Sequence, residues 1–183
     1  MQFSALLTVA VLSIVSLVSA SPLQARQTID PPARYLLQTK VVNGAHKDSG
    51  TNKTDLWLYS YHTGAGLGDA ALSSNKSWAW QGYLNESQQL FTYTGNLGGP
   101  WPLSIGYGPY QQWNQVGISI AGITSLYAGF FFNSSGLQFN ASTGGWLACD
   151  WWHGVPQLFQ ANGYPYGPLP NSCSKVELQP VAV

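Results

Sequence analysis

Short runs of aromatic and branched aliphatic residues recur along the chain, and each run is soon broken by Gly, Asn, Ser or Pro. No window sustains an apolar stripe at the helical repeat of about 3.6 residues between caps, so the pattern is typical of strands. We predict eleven strands, at residues 35–42, 55–62, 78–84, 88–94, 103–107, 116–120, 127–132, 136–139, 146–149, 155–160 and 174–181. These runs indicate an all-β fold with a single antiparallel domain.

Apolar residues alternate with small or polar ones over 116–120 and again over 175–178. Because successive side chains of a strand point to opposite faces, we expect Val116, Ile118 and Ile120 to face the core. About eleven short strands in one domain fit a β-sandwich or a closed barrel. A β-trefoil-like fold is the alternative, since the Gln-Leu-Phe run at 89–91 loosely repeats at 157–159.

The segments between these runs carry turn residues. Residues 47–52 predict a hairpin loop after the first strand, and 95–100 and 133–136 predict further turns. The Gly-rich stretch 64–69 is interpreted as a loop of small residues. It lacks the Lys-Ser/Thr pair of a phosphate-binding loop, which argues against a nucleotide site.

Charged residues are scarce, with 7 Lys/Arg and 7 Asp/Glu making up 8% of the 183 residues. An ordinary soluble domain has about 25%. Nucleic-acid binding depends on a basic patch, so we expect no nucleic-acid partner. Apolar residues make up 45% of the chain, enough for one folded domain, which we expect to be a monomer.

The N-terminal residues are typical of an export signal. An apolar run at 5–18 is followed by Val18-Ser19-Ala20, which predicts a signal peptide over 1–20. Residues 21–34 are Pro-rich and predict a leader or tether, and 35–183 predict the single β domain. We therefore expect a secreted protein of the medium or the cell wall, with no membrane partner after signal removal.

Two further features agree with export. Cys149 and Cys173 are the only cysteines, and an even count in an exported chain favours a disulfide between them. Acceptor sequences for N-glycosylation also recur. They begin at Asn52, Asn75, Asn85, Asn133 and Asn140.

Residues able to perform acid–base chemistry are few. His62 ends a predicted strand and His153 follows one, and together with Asp69 or Asp150 they could form a metal or acid–base cluster. Asp69 with Asp150 could also form a carboxylate pair of the glycosidase type. The simpler interpretation is that each His pins a turn, because neither a nucleophile nor metal-ligand spacing accompanies it. We expect no cofactor and no metal site.

Tryptophan is unusually common, with eight residues in the chain. Exposed indole and phenol rings can stack on the C–H faces of sugars, and Trp151, Trp152 and Tyr61 are the candidates for such contacts. If Trp151 and Trp152 are extended, they point to opposite faces, whereas Trp78 and Trp80 share one. The alternative is that most of these rings fill the core of a charge-poor β domain.

The stretches Tyr61–Ala70 (YHTGAGLGDA) and Gly144–Phe159 (GGWLACDWWHGVPQLF) resemble the signature segments of an uncharacterised family of small secreted proteins from filamentous fungi. The resemblance extends over residues 35–183. The C-terminal part is more loosely similar to fungal cell-wall proteins and IgE-binding-type secreted antigens. The resemblance implies a fungal, exported β protein with a Cys149–Cys173 bridge, and it implies no catalytic residues.

The leading hypothesis is a secreted, N-glycosylated, non-enzymatic protein that binds cell-wall polysaccharide or another glycan through exposed aromatic rings. One alternative is a small hydrolase or metal-dependent enzyme that uses His62, His153 and Asp150. Another is a secreted effector or antigen that acts on a host protein, which a contiguous exposed apolar patch would favour.

Overall fold

The structure, a computed structural model, describes residues 27–42, 50–92, 99–106, 112–120, 127–141, 143–163 and 169–183. The predicted signal peptide, half of the predicted loop 47–52 and most of the predicted loop 95–100 lie outside these residues. The strands are β1 (Tyr35–Val41), β2 (Trp57–Gly64), β3 (Leu67–Ser73), β4 (Gln81–Asn85), β5 (Gln88–Thr92), β6 (Trp101–Ile105), β7 (Trp113–Ile118), β8 (Phe130–Asn133), β9 (Gly136–Phe139), β10 (Trp146–Asp150), β11 (Pro156–Ala161) and β12 (Cys173–Ala182). A short 3₁₀ helix covers Lys76–Trp78.

Nine strands close into a barrel in the order β1-β4-β5-β6-β7-β3-β11-β10-β12, with β12 paired to β1. That closing pairing is antiparallel and runs from Tyr35 opposite Ala182 to Val41 opposite Val176. β2 pairs with both β1 and β3, and the β8–β9 hairpin joins β12 through a parallel pairing. The predicted all-β single domain is confirmed, with the closed barrel as its architecture.

The barrel interior holds the main hydrophobic core. Side chains such as Leu72, Ile118 and Leu158 point into it from neighbouring strands and are fully buried. A second, smaller cluster lies on the outer face of β10, β11 and β12 and includes Cys149, Phe159 and Cys173. This second cluster therefore covers part of the outer barrel surface. The candidate functional residues lie beside it.

The prediction of a small-residue loop over 64–69 is wrong, because β3 begins at Leu67 and only a two-residue turn separates it from β2. Gly66 has a φ of 72° and allows that tight turn. Gly68 faces a crowded spot, where an added Cβ would lie 2.9 Å from the Ile118 carbonyl oxygen. Gly66 therefore allows the turn, and Gly68 allows the neighbouring strand to pack closely.

Two predictions about which side chains share a strand face or point into the core are wrong. Trp78 belongs to the 3₁₀ helix and is exposed, whereas Trp80 packs against the barrel core, so the two do not share a strand face. The Asn75 side chain accepts a hydrogen bond from the Ser77 amide and starts this helix. In β7 the alternation ends at Ile118, and Ile120 lies beyond the strand with 44% of its surface exposed.

Several local predictions are confirmed. Residues 133–136 form the turn of the β8–β9 hairpin, in which Asn133 Oδ1 accepts a hydrogen bond from the Ser135 amide. The alternation noted over 175–178 is also present, since Val176 and Leu178 are buried while residues 175 and 177 are only partly so. The described end of the predicted leader contacts the fold, since the Ile29 amide donates to the Phe132 carbonyl at 2.9 Å. No helix among the described residues has the length and apolar character needed to cross a membrane.

Candidate functional site

The central position belongs to Asp69 on β3. Ala70 and Leu72 of this strand point into the barrel core, so the side chain of Asp69 points outward. Tyr61 on β2 lies directly opposite Asp69 and shares that outer face. The first of the two signature stretches therefore brings a carboxylate and a phenol ring to one place.

The second signature stretch returns over this face and contacts Asp69. His153 Nε2 lies 2.7 Å from Asp69 Oδ2. Gln115 Nε2 of β7 donates to the other oxygen, Asp69 Oδ1, at 2.6 Å. Side-chain exposure is 2% for His153 and 10% for Asp69, so the pair is shielded from water. Both carboxylate oxygens are engaged, which makes this network suited to holding the segment after β10.

Two aromatic rings contact the imidazole of His153. Tyr61 stacks on it with ring centroids 4.2 Å apart and planes 25° apart. Trp152 contacts it with centroids 3.6 Å apart. A ring in contact with two aromatic neighbours and bonded to a carboxylate has little freedom. His153 therefore fixes the orientation of Trp152.

Trp151 and Trp152 lie outside β10, which ends at Asp150. They form a turn in which the Gly154 amide donates to the Trp151 carbonyl at 3.2 Å. Their exposed fractions are 42% for Trp151 and 76% for Trp152. The prediction that the two rings point to opposite faces applies only to an extended pair, and here a turn exposes both rings.

A groove of about 560 Å³ opens beside this turn, and we call it the tryptophan groove. Its volume lies in the range of small-molecule sites, about 300–1,000 Å³. Its lining combines aromatic rings with polar side chains. It is lined by Asp69, Gln112, Trp113, Gln115, Trp151, Trp152 and Phe159.

Asp150 lies next to the two tryptophans in sequence but has other partners. Its Oδ1 lies 2.9 Å from Lys53 Nζ, and its Oδ2 accepts from the Thr51 amide at 3.0 Å. The Thr51 hydroxyl also donates to Oδ1 at 2.5 Å. Partial burial raises the pKa of Asp150, but these hydrogen bonds and the Lys53 charge outweigh it, so the pKa lies below its ordinary value.

The structure thus joins His153 to Asp69 and directs Asp150 to Lys53. His62 lies on β2 opposite Gly68, is exposed, and alternates with Tyr61. Among the described residues, no group of three or more His, Cys, Asp or Glu side chains could hold a metal ion. The His153–Asp69 contact is therefore better suited to positioning the turn after β10 than to acid–base chemistry.

A second groove, of about 640 Å³, lies on the other side of the same turn, and Trp151 lines both. Its walls combine apolar side chains with hydroxyl groups. It is lined by Thr51, Asn52, Leu56, Leu72, Ser73, Ser74, Asp150, Trp151, Gly154, Val155 and Pro156. The segment 150–156 therefore separates two grooves.

The disulfide between Cys149 and Cys173 is confirmed, and it joins directly opposed residues of β10 and β12. It lies one residue before Asp150, so it anchors the start of the turn. The predicted glycosylation sites lie in turns or at strand ends. Asn52, Asn75, Asn85 and Asn140 are exposed, and Asn133 is partly so.

Sequence reasoning missed Gln115, Gln112 and Phe159 as parts of the groove. Gln115 lies opposite Phe159 in the β7–β11 pairing, so both face outward. A signal for Gln115 was present, because extending the alternation of Val116 and Ile118 backwards places it on the outer face. Nothing in the sequence connects that face to residue 153.

Residues 32–182 match a protein family described as a domain of unknown function, DUF7907. No curated protein and no solved structure matches the chain.

Proposed function

Since the chain belongs to the DUF7907 family, whose description names no activity, we propose a function from the site itself. The protein is an exported, N-glycosylated, non-enzymatic component of the medium or cell wall that binds polysaccharide in the tryptophan groove. The chemistry of recognition is stacking of sugar rings on indole faces, with side-chain amide groups bonding to sugar hydroxyls.

The observation that carries this proposal is Trp152. Its side chain is 76% exposed, yet it packs on His153, which Asp69 holds at 2.7 Å. An indole that faces water costs free energy unless a partner covers it, and an indole held rigid loses little entropy when a ligand arrives. A rigid, exposed ring beside polar side chains fits a sugar-binding platform.

The other wall of the groove supports the same interpretation. Trp151 is 42% exposed and packs edge-on against Phe159, with ring centroids 5.0 Å apart. Gln115, which bonds to Asp69, is an exposed residue of the same groove. Sugars present both an apolar C–H face and a rim of hydroxyls, so a groove with indole walls and amide groups complements both features.

Export and glycosylation rest on other observations. The disulfide is compatible with an oxidising compartment. The low charge of the chain is also compatible with a glycosylated surface, because attached sugars supply solubility. Mass spectrometry of the secreted protein tests both, through its N-terminus and through the occupied asparagines.

The binding test is retention on insoluble chitin, β-glucan and cellulose. We expect the wild type to be retained on at least one, and Trp152→Ala and Trp151→Ala to be released. Trp78→Ala is the matched control, since Trp78 is 53% exposed but lines neither groove. Equal retention of Trp152→Ala and wild type, or no retention on any of the three, contradicts the proposal.

A further inference from the structure

The second groove contains the acceptor asparagine of a glycosylation sequence. Asn52 lines this groove together with Trp151, Val155 and Pro156. Asn52-Lys53-Thr54 has the Asn-x-Thr pattern that N-glycosylation requires. An attached sugar would therefore begin at the wall of a groove of about 640 Å³.

Two hydrogen bonds to Thr54 already hold the Asn52 side chain. Asn52 Oδ1 accepts from the Thr54 amide at 3.1 Å, and Asn52 Nδ2 donates to the Thr54 carbonyl at 3.0 Å. An amide nitrogen has two hydrogens, so one can hold this bond while the other is replaced by a sugar. The Asn52 side chain therefore does not need to rearrange on modification.

The backbone on both sides of Asn52 is tied to the turn. Thr51 donates twice to Asp150, and Lys53 forms an ion pair with the same carboxylate. The Lys53 side chain is 0% exposed, so this ion pair is firmly placed. Asp150 directly precedes Trp151. The same carboxylate therefore connects the acceptor sequence to the segment that carries the indole.

The groove walls suit the sugar that N-glycans begin with, an acetylated amino sugar. Trp151, Val155 and Pro156 offer apolar surface to its C–H face and acetyl methyl group. Ser73 and Ser74 line the same groove and offer hydroxyls to its polar groups. Asn85 is also exposed but lines neither of the two grooves.

We propose that an N-glycan on Asn52 docks within the second groove of the same molecule and covers the turn that carries Trp151. In its attachment, Asn52 Nδ2 bonds to the first sugar of a lipid-linked oligosaccharide diphosphate, loses one proton and displaces the lipid diphosphate. The docked glycan stabilises the turn from the side opposite the tryptophan groove. This inference rests on the glycosylation part of the proposed function and not on polysaccharide binding.

The experiment compares three full-length proteins secreted from a eukaryotic host, namely wild type, Asn52→Gln and Asn85→Gln. The measurement is amide hydrogen exchange over residues 151–156, after mass spectrometry has given the occupancy of each asparagine. We expect exchange in Asn52→Gln to be at least about tenfold faster than in wild type. Asn85→Gln, which loses a glycan outside the grooves, should match wild type.

The glutamine substitution also removes the hydrogen bonds of Asn52 to Thr54, so the same pair of proteins is made without glycans in a bacterial periplasm. The proposal requires that wild type and Asn52→Gln exchange alike there. A difference that persists without glycans, or equal exchange in the glycosylated pair, overturns it. An unoccupied Asn52 beside occupied sites also overturns it, whereas occupancy at none of the five refutes the glycosylation part of the proposed function.

Discussion

His153 Nε2 lies 2.7 Å from Asp69 Oδ2, although 84 residues separate the two in sequence. The contact joins the turn after β10 to the outer face of β3 and sets the position of Trp152. The site therefore depends on a pair whose own side chains are almost fully covered. Stability and ligand binding should respond together when this pair is broken.

Replacing His153 with Ala should lower the free energy of unfolding by about 1–3 kcal/mol, because Asp69 loses a charged-group hydrogen bond while still shielded from water. Urea denaturation measures this loss, and retention on polysaccharide should fall in the same variant. His62→Ala is the control, since His62 is exposed, and its unfolding midpoint should match wild type. A His153→Ala protein with wild-type stability would contradict the positioning role.

The sequence predicts the barrel well where apolar residues alternate, and poorly where they do not. Residues 136–139 form β9 as predicted, whereas β3 went unrecognised because Leu67–Ser73 contains neither β-branched nor aromatic residues. Its positions 68–72 are all buried, since the core covers one face and the turn after β10 the other. Such a strand shows no alternation for a pattern search to find.

The candidate site could be predicted only in part. The sequence indicates His153 and Asp69 as candidate residues, but local patterns do not show whether Asp69 or Asp150 contacts the imidazole. In the closed barrel β3 lies beside β11, so that Asp69 and not Asp150 contacts His153 of the turn after β10. Trp151 and Trp152 were predicted as ring platforms, and their common exposure follows from a turn that the sequence did not reveal.

Asp150→Asn should lower the free energy of unfolding by about 1–3 kcal/mol at pH 7, because the fully buried Lys53 ammonium loses its carboxylate partner. This loss is smaller than for a fully buried pair, because water screens the Asp150 side chain, which is 33% exposed. Urea denaturation of both proteins measures the difference. Asp30→Asn, at an exposed carboxylate, is the control.

That difference should also depend on pH. The pKa of Asp150 is lower in the folded protein than its ordinary value, which is about 3.9. Its stabilising effect is therefore complete above about pH 4 and is lost as the pH falls through the lowered folded value. We expect wild type and Asp150→Asn to converge in stability at acid pH. A gap that widens with acidification would show that the carboxylate does not act as described.

Removal of the disulfide, by changing both Cys149 and Cys173 to Ala, should lower the free energy of unfolding by about 3 kcal/mol. The bridge closes a loop with a sequence separation of 24 residues, and its loss frees the unfolded chain. Thermal unfolding with and without a thiol reductant checks the estimate. The reductant should lower the melting temperature of wild type and leave the double variant unchanged.

Tyr35→Phe should destabilise the barrel by about 1–2 kcal/mol, because it leaves buried Gln89 without the hydroxyl that donates to its Oε1 at 2.5 Å. Burial raises the pKa of Tyr35, and the bond to Gln89 only partly offsets this. Its stability contribution is therefore complete below about pH 10 and is lost progressively above it. The variant should be less sensitive to alkaline unfolding than wild type, whereas exposed Tyr127→Phe should behave as wild type.

The most direct measurement is calorimetric titration of the secreted protein with soluble oligosaccharides of chitin, β-glucan and cellulose. Wild type should bind at least one of them, and Trp152→Ala should bind it about tenfold more weakly, as expected for a loss of about 1.4 kcal/mol. Trp78→Ala should bind as wild type does. Binding that is unchanged in Trp152→Ala, or the absence of binding to all three by wild type, would contradict the assignment of the tryptophan groove as a glycan site.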